Sequence, residues 1–290
     1  MKVEIIGVPY NSAGRPGGVA AGPKALRDAG LTLADPDIIL AEPTAVRGES
    51  GLLAEGALVE MTEVVAARVG AAFAAGRMPL IIGGDCPVSL GALAASRDRH
   101  GEVGLLFVDG HEDAWPPAKS TTGEAADCEL GIALGLNADR LPDGVKRLLP
   151  LVHPDAVVAL GPRDSDELAA EGVDSLAGTI SVVRPAELAD EHAQGGLAEF
   201  TIRQVKTLRR RAPNWWLHVD LDVLATEQLA AVDYQQPGGL TWEQLDTITA
   251  AALSAPGCLG WTVAIYNPEL DDNGVGARRI VQYVRNALRD

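Results

Sequence analysis

Continuous apolar runs alternate along the chain with longer segments of helical character, and this alternation is the strongest constraint on the fold. Strands made of such runs are buried on both faces, because a strand with one solvent-exposed face would alternate apolar with polar residues. Strands that alternate with helices favour a mostly parallel sheet with helices on both sides. We therefore predict an α/β fold with a mostly parallel sheet of about eight strands.

The predicted strands span residues 2–8, 37–40, 78–82, 103–108, 156–160, 179–183, 215–219 and 258–264. Predicted helices include residues 55–75 and a segment from about 124 to 134. Thr241 and Gln244 have the spacing of a capping box, which predicts that a helix begins after Leu240. Because no linker or internal repeat interrupts the pattern, we expect one domain over residues 1–290.

The chain is strongly acidic, since 40 Asp and Glu residues against 24 Lys and Arg give a formal net charge of −16. This charge argues against nucleic acid and anionic membranes as partners and suits metal cations and small cationic or neutral substrates. No apolar run approaches the ~18 residues of a membrane-spanning helix. The three cysteines form no disulfide framework, and the first apolar segment is too short for a signal peptide, so we expect a cytoplasmic protein.

The most informative motif follows the apolar run 105–108, which ends abruptly in Asp109, His111 and Asp113. Residues two apart on an extended chain point to the same side, so two carboxylates and an imidazole should lie together. Such groups repel one another unless a cation lies between them. The alternative is a solvated acidic turn that contains one histidine.

Two further segments, 83–87 and 220–222, also follow predicted strands, where ligands bind in parallel sheets. Asp220 and Asp222 again have the two-residue spacing. Asp85 and Glu112 have the wrong parity, because each is next in sequence to a candidate ligand and should therefore point to the opposite side of the chain. The remaining carboxylates, one imidazole and the Cys86 thiol suffice for a two-metal centre. Oxygen and nitrogen ligands favour Mn²⁺ over Zn²⁺, although a thiolate favours softer metals. Two such metals can lower the pKa of a bridging water and create hydroxide, which favours hydrolysis at a trigonal carbon.

Three segments at these strand ends resemble the signature motifs of the arginase/agmatinase/formimidoylglutamase (ureohydrolase) family: Gly83-Gly84-Asp85-Cys86, Asp109-Gly110-His111-Glu112-Asp113 and His218-Val219-Asp220-Leu221-Asp222. The resemblance runs nearly end to end. It implies a three-layer αβα fold, a binuclear Mn²⁺ site, hydrolysis of a guanidino or amidino C–N bond, and homotrimers or homohexamers. It also implies roles for individual ligands. Asp109 and Asp220 match the bridging carboxylates, Asp113 a ligand of the first metal, and His111 and Asp222 ligands of the second.

Three positions depart from the family pattern. Cys86 stands where a histidine normally binds the first metal, so it is either a ligand or a buried thiol beside a weak or empty site. The family's proton-transfer histidine is absent near residues 124–129, where Glu124 or Asp127 either takes over the proton or simply begins a helix. Ile265 replaces a glutamate that faces the substrate's guanidinium.

The loss of that glutamate argues against ordinary arginase or agmatinase activity, unless Glu269, Asp271 or Asp272 substitutes for it. His218 shares the parity of Asp220 and is interpreted as a core or supporting histidine. Trp115 is expected at the pocket mouth, and the loop 234–239 matches the family's Pro-Gly substrate loop.

We therefore predict a Mn²⁺-dependent hydrolase of a linear C–N bond in a small amidine- or guanidine-type substrate, using metal-bound hydroxide. Asp222, Glu124 or Asp127 would pass the proton to the leaving amine. One alternative keeps catalysis with a single metal at Asp109, His111, Asp220 and Asp222. Another is a relative that no longer catalyses and serves as a binding or regulatory subunit.

Overall fold

A computed structural model describes residues 2–34 and 37–288. Within them, seven strands form one sheet in the order β1-β2-β7-β6-β3-β4-β5. Every pair of neighbouring strands is parallel. The strands are β1 Lys2–Val8, β2 Arg77–Gly83, β3 Val103–Val108, β4 Val157–Leu160, β5 Ser181–Val183, β6 Asn214–Asp220 and β7 Cys258–Ala264.

Helices cover both faces of this sheet, and short 3₁₀ turns such as Ala126–Cys128 and Leu221–Val223 lie between the longer elements. The longest helix buries residues at the spacing of an amphipathic stripe, from Leu58 through Met61 and Val65 to Val69. The α-helices are α1 Gly22–Asp28, α2 Glu55–Ala74, α3 Val88–His100, α4 Glu129–Ala133, α5 Asp143–Lys146, α6 Ser165–Ala170, α7 Pro185–Ala193, α8 Leu197–Leu208, α9 Trp242–Ser254 and α10 Val275–Ala287.

Two apolar cores lie on opposite faces of the sheet, and successive residues of β3 contribute to them in turn. Leu105 and Phe107 pack in the core beneath α2, α3 and α4. Leu106 and Val108 pack in the core beneath α1, α8, α9 and α10. A strand whose neighbouring residues are all buried in this way needs a helix layer on each side. The predicted three-layer α/β fold is therefore confirmed.

The structure corrects three details of the predicted elements. Residues 37–40 form no strand, and Ile39 is 85% exposed. The Ala34 amide still donates to the Ile5 carbonyl of β1, but residues 37–40 no longer follow the edge of the sheet. The helix predicted from about 124 to 134 is a 3₁₀ turn followed by the short α4. Helix α7 had not been predicted.

The capping box before α9 is confirmed, since the Gln244 amide donates to Thr241 Oγ1 at 3.2 Å and the Thr241 amide to Gln244 Oε1 at 2.8 Å. None of the described helices has the length and apolar character needed to cross a membrane.

The strand order brings the sequence motifs together at the middle of the sheet. Strands β7 and β6 lie between β2 and β3, and all four run in the same direction. Their carboxyl ends at Gly83, Ala264, Asp220 and Val108 therefore meet at one edge. Ligands of open parallel sheets bind beyond this edge, where the strand order changes.

Candidate metal centre

Buried ligand-type side chains from three strand ends converge at this edge. Cys86 follows β2, Asp109 follows β3, and Asp220 is the last residue of β6. Their ligand atoms, with one from His218, all lie within 4.8 Å of one another, and all four residues are buried. The Cys86 thiol donates to Asp220 Oδ2. A second group with the same mutual spacing consists of Asp109, His111 and Asp113.

Asp222 joins the two groups through the loop that follows β6. Its Oδ2 lies 2.9 Å from Nδ1 of His111, and its Oδ1 accepts from the Gly110 amide at 3.0 Å. Each strand-end carboxylate also accepts a backbone amide two residues later, from His111 to Asp109 and from Asp222 to Asp220. These local turns hold the paired side chains on the same side of the chain.

The structure thus brings together the six side chains predicted as metal ligands: Cys86, Asp109, His111, Asp113, Asp220 and Asp222. That they bind metal remains a prediction.

Burial and mutual repulsion dominate the electrostatics of this cluster. Burial raises the pKa of Asp109, Asp113 and Asp220 above the usual carboxyl range, and neighbouring carboxylates raise each further. Burial also acts to raise the pKa of Asp222, but the His111 imidazole brings it below its usual value. For His111 itself, burial acts to lower the pKa, whereas Asp222 and Asp109 raise it to about 10.

Buried polar atoms within the cluster lack hydrogen-bond partners among the described residues. Asp109 Oδ2 is one, and both ring nitrogens of His218 are others. Buried polar atoms are normally paired, because an unpaired one costs free energy. Carboxylates, an imidazole and a thiol are all ligands for divalent cations, so the donor set fits a metal.

The two acids excluded by parity indeed lie outside the cluster. Asp85 accepts from the amides of Ser12 at 2.9 Å and Cys86 at 3.0 Å, which fixes the turn after β2. Glu112 is fully buried and contacts Arg184 at 3.0 Å, so its role is structural.

Glu124 and Asp127 lie beside the cluster rather than within it. Asp127 accepts from the hydroxyls of Ser120 at 2.5 Å and Thr122 at 2.6 Å, and it lines the cavity above the ligands. Glu124 contacts the Tyr234 hydroxyl, and Tyr234 lines the same cavity. Burial, followed by the charge of Asp85, raises the pKa of Glu124 to about 7, although the Tyr234 hydrogen bond opposes this. A group with this pKa can exchange protons at neutral pH.

A cavity of about 200 Å³ opens above the cluster. Trp115 lines it, and so do Tyr234, Gln235 and Gln236 of the loop that matches the family's substrate loop. Six carboxylates and no lysine or arginine are found among its described lining residues. This negative cavity attracts cations and positively charged small molecules.

Ile265 also lines the cavity, and its backbone has a φ of +71°. A β-branched residue in this region is strained, and such strain concentrates at functional sites. The three acids considered as replacements for the missing glutamate lie elsewhere. Glu269 accepts from the Gly18 amide, Asp271 accepts from the Tyr266 hydroxyl, and Asp272 is exposed. None of these three acids lines the cavity beside Ile265 in this conformation.

Two residues of the site were missed in the sequence. Glu129 is 1% exposed, and its Oε1 lies 3.4 Å from His218 Nε2. Asp164 lines the cavity and has an unpartnered Oδ1, while its Oδ2 accepts from the Glu112 amide. Asp164 follows the predicted strand 156–160, which was an available signal, whereas Glu129 resembled an ordinary acid at a helix start.

The Arginase family model matches residues 1–289. The arginase of Bacillus caldovelox is 27% identical over 254 residues, covering 83% of this chain and 83% of that protein. Its solved structure covers 100% of this chain and 98% of its own, with a TM-score of 0.83 at 24% identity. The formimidoylglutamase of Bacillus subtilis subsp. subtilis str. 168 has a TM-score of 0.71 at 17% identity, covering 99% of this chain and 86% of its own. Since the family model spans nearly the whole sequence, this chain belongs to the arginase family.

Proposed function

We propose that this protein is a metal-dependent hydrolase that cleaves a linear C–N bond in a small molecule. The observation that carries this proposal is the convergence of six ligand-type side chains, including Asp109, whose buried Oδ2 has no hydrogen-bond partner among the described residues. Cys86, Asp109, His111, Asp113, Asp220 and Asp222 would hold Mn²⁺, as two ions or one. Bound divalent cations supply Lewis acidity and make water nucleophilic at neutral pH.

The chain's own acids would manage the proton. Asp222 Oδ2 lies against His111 at the cavity floor, where it can take a proton from the attacking group. Asp222 would pass this proton to the leaving amine directly; alternatively, Glu124 or Asp127 would donate to the amine and regain the proton from Asp222. Glu124 is better suited by its pKa of about 7, and its contact with Tyr234 links it to the cavity. Asp127 lines the cavity directly, but two hydroxyls already bind its carboxylate.

The substrate we propose is small and of the amidine or guanidine type, but not arginine. The cavity volume of about 200 Å³ restricts its size, and the six carboxylates favour a positive charge. Ile265 presents an apolar side chain where a buried guanidinium would need a carboxylate, which argues against arginine as the substrate.

The remaining properties follow from the family and the charge. We propose a single domain over residues 1–290 that acts in the cytoplasm as a homotrimer or homohexamer. The net charge of −16 supports a small-molecule substrate, with neither nucleic acid nor a membrane as partner.

An activity screen tests this proposal. Metal-stripped protein is reloaded with Mn²⁺ and assayed for ammonia or amine release from guanidino, amidino, formimino, ureido and hydroxyguanidino compounds. We expect turnover of at least one class, and loss of both metal and turnover in Asp109→Asn. The exposed Asp28→Asn serves as the matched control. Two bound Mn²⁺ ions without turnover of any class would contradict the proposal.

That negative result would favour the second candidate, a family relative that binds ligands without catalysis. The observation behind it is Ile265 in the cavity wall with no compensating acid from residues 269–272. Such a protein would bind a small cation in the same cavity, which calorimetry with the screened compounds would detect.

A further inference from the structure

We propose that Cys86 and His218 form, with Asp109 and Asp220, a thiolate–imidazole metal position of the kind that prefers Zn²⁺ to Mn²⁺. This inference deepens the proposed function, because it assigns one of its metal positions to a different ligand set and a softer metal. His218 would thereby be a ligand rather than a core or supporting histidine.

The spacing of the four donor atoms is the first argument. They lie within 4.8 Å of one another. Ligands about 2.0–2.3 Å from a tetrahedral ion are about 3.3–3.8 Å apart, so small side-chain rotations would complete the geometry. Two carboxylates, one imidazole and one thiol are the ligand types found around zinc.

The unpartnered atoms are the second argument. His218 is 0% exposed, and neither of its ring nitrogens has a hydrogen-bond partner in the described chain. Its Nε2 lies 4.0 Å from Asp109 Oδ2, which is also buried and unpartnered. A buried polar atom without a partner costs free energy. One cation bound between His218 Nε2 and Asp109 Oδ2 would give both of these atoms a partner.

The surroundings of His218 keep its ring in place. The ring stacks on Phe107 with 5.0 Å between centroids and 13° between planes. Glu129 Oε1 lies 3.4 Å from Nε2 and is itself buried without a hydrogen-bond partner within the described ranges. Because Glu129 faces the same ring nitrogen as Asp109, its carboxylate lies beside the proposed metal position and would offer a further oxygen ligand.

The position lies beneath the cavity floor. Cys86 and Asp220 line the cavity, whereas Asp109 and His218 are not among its lining residues. A metal held here would be shielded from bulk water, and its neutral imidazole and soft thiolate would favour Zn²⁺ or Co²⁺ over the harder Mn²⁺. The second group, Asp109, His111 and Asp113, shares only Asp109 with this position, and its ligands are two carboxylates and an imidazole, so Mn²⁺ remains the ion we expect there.

Cobalt titration tests this inference without any assay of activity. Metal-stripped protein is titrated with Co²⁺ while the near-ultraviolet thiolate-to-cobalt charge-transfer band is recorded. We expect a band that saturates at one equivalent, that Zn²⁺ abolishes, and that excess Mn²⁺ leaves in place. Cys86→Ser should remove the band, and His218→Asn should weaken Co²⁺ binding by at least about tenfold. Cys128→Ser, which changes a buried cysteine outside the cluster, is the matched control and should keep the band.

X-ray absorption at the zinc edge of the unmutated protein provides a second measurement that does not depend on the folding of variants. It should show one sulfur and at least one imidazole among the ligands. A zinc shell without sulfur, or a cobalt band unchanged in Cys86→Ser, would overturn the inference. Unchanged Co²⁺ affinity in folded His218→Asn would also overturn it. A thiolate band in a protein that hydrolyses none of the screened compounds would instead contradict the proposed function alone.

Discussion

The imidazole Nδ1 of His111 lies 2.9 Å from Oδ2 of Asp222, although the two residues belong to loops after different strands. The other carboxylate oxygen of Asp222 accepts from the Gly110 amide at 3.0 Å. Asp222 therefore joins the loop after β3 to the loop after β6. Its charge and its hydrogen-bond geometry are separable, because asparagine keeps an acceptor for the Gly110 amide but loses the negative charge.

Asp222→Asn is expected to lower metal affinity and any hydrolytic activity by about 10–100-fold, because a metal ligand and a negative charge are lost together. The fold should persist, since the Oδ1 acceptor can remain. Metal content by elemental analysis and unfolding by urea are the two measurements. Asp28→Asn, at an exposed ion pair, should change neither. Full metal content in Asp222→Asn would show that this carboxylate is not a ligand.

Glu124 predicts a pH-dependent stability difference. Burial raises its pKa to about 7, compared with about 4.3 in an unfolded chain. Below pH ~4 the residue is protonated in both states and has no effect. Between these values the folded chain holds the proton more tightly, so rising pH destabilises the fold until the folded pKa is passed.

Glu124→Gln removes this penalty. The variant should therefore gain stability relative to the unmodified chain as the pH rises from about 4.3 to 7, by on the order of 1–2 kcal/mol after allowance for partial exposure. Urea unfolding at several pH values measures the difference. The exposed Glu227→Gln serves as the matched control over the same range. A flat profile for Glu124→Gln would mean that burial does not raise this pKa.

Residue parity in the strands predicted which acids meet and which do not. Asp109 with His111, and Asp220 with Asp222, point into the cluster, whereas Asp85 and Glu112 are directed elsewhere. The rule that residues two apart point to the same side holds for an extended chain, yet Asp222 lies in a 3₁₀ turn. The prediction still works there because the backbone amide of Asp222 bonds to the Asp220 carboxylate and holds both on one side.

Other features depend on contacts that a single sequence does not reveal. Glu129 approaches His218 through a tertiary contact between the start of α4 and β6, and the acidic start of a short helix gives no sign of this contact. Residues 37–40 have the apolar character of a strand, but Ile39 lies exposed, so local composition was misleading at the sheet edge. Ile265 likewise has a positive φ, and its amide donates to the Gly84 carbonyl, a contact between distant segments that the sequence does not reveal.

Ile265→Glu is expected to create binding of guanidinium compounds. A carboxylate in the cavity wall would provide the charge-assisted partner that arginine-like substrates need, a difference of several kcal/mol when buried. The Kd for such compounds should fall by at least about tenfold, as measured by calorimetry. Ile265→Gln matches the new side chain in shape without its charge and should show little gain. Equal binding by the two variants would mean that charge at this position does not select the substrate.

Arg163 is expected to control the shape of the cavity mouth. Its Nη2 donates to the Asp222 carbonyl at 2.8 Å, and its Nε donates to the Pro237 carbonyl at 3.2 Å. It thus ties the loop that carries a predicted ligand to the loop 234–239, which supplies three cavity residues. Hydrogen bonds from charged donors each contribute about 1.5–3 kcal/mol, so removing them should loosen the outer loop.

Arg163→Met should therefore raise KM for an active substrate by about tenfold or more, with a smaller effect on kcat, because the mouth loses order while the ligands stay in place. Limited proteolysis within residues 234–239 should become faster, which gives a readout that needs no substrate. Arg163→Lys keeps the charge but cannot reach both carbonyls with one planar group, so it should restore the loop only in part. A fall in kcat with unchanged KM and unchanged proteolysis would contradict this prediction. It would mean that Arg163 acts by holding Asp222 and not by ordering the cavity mouth.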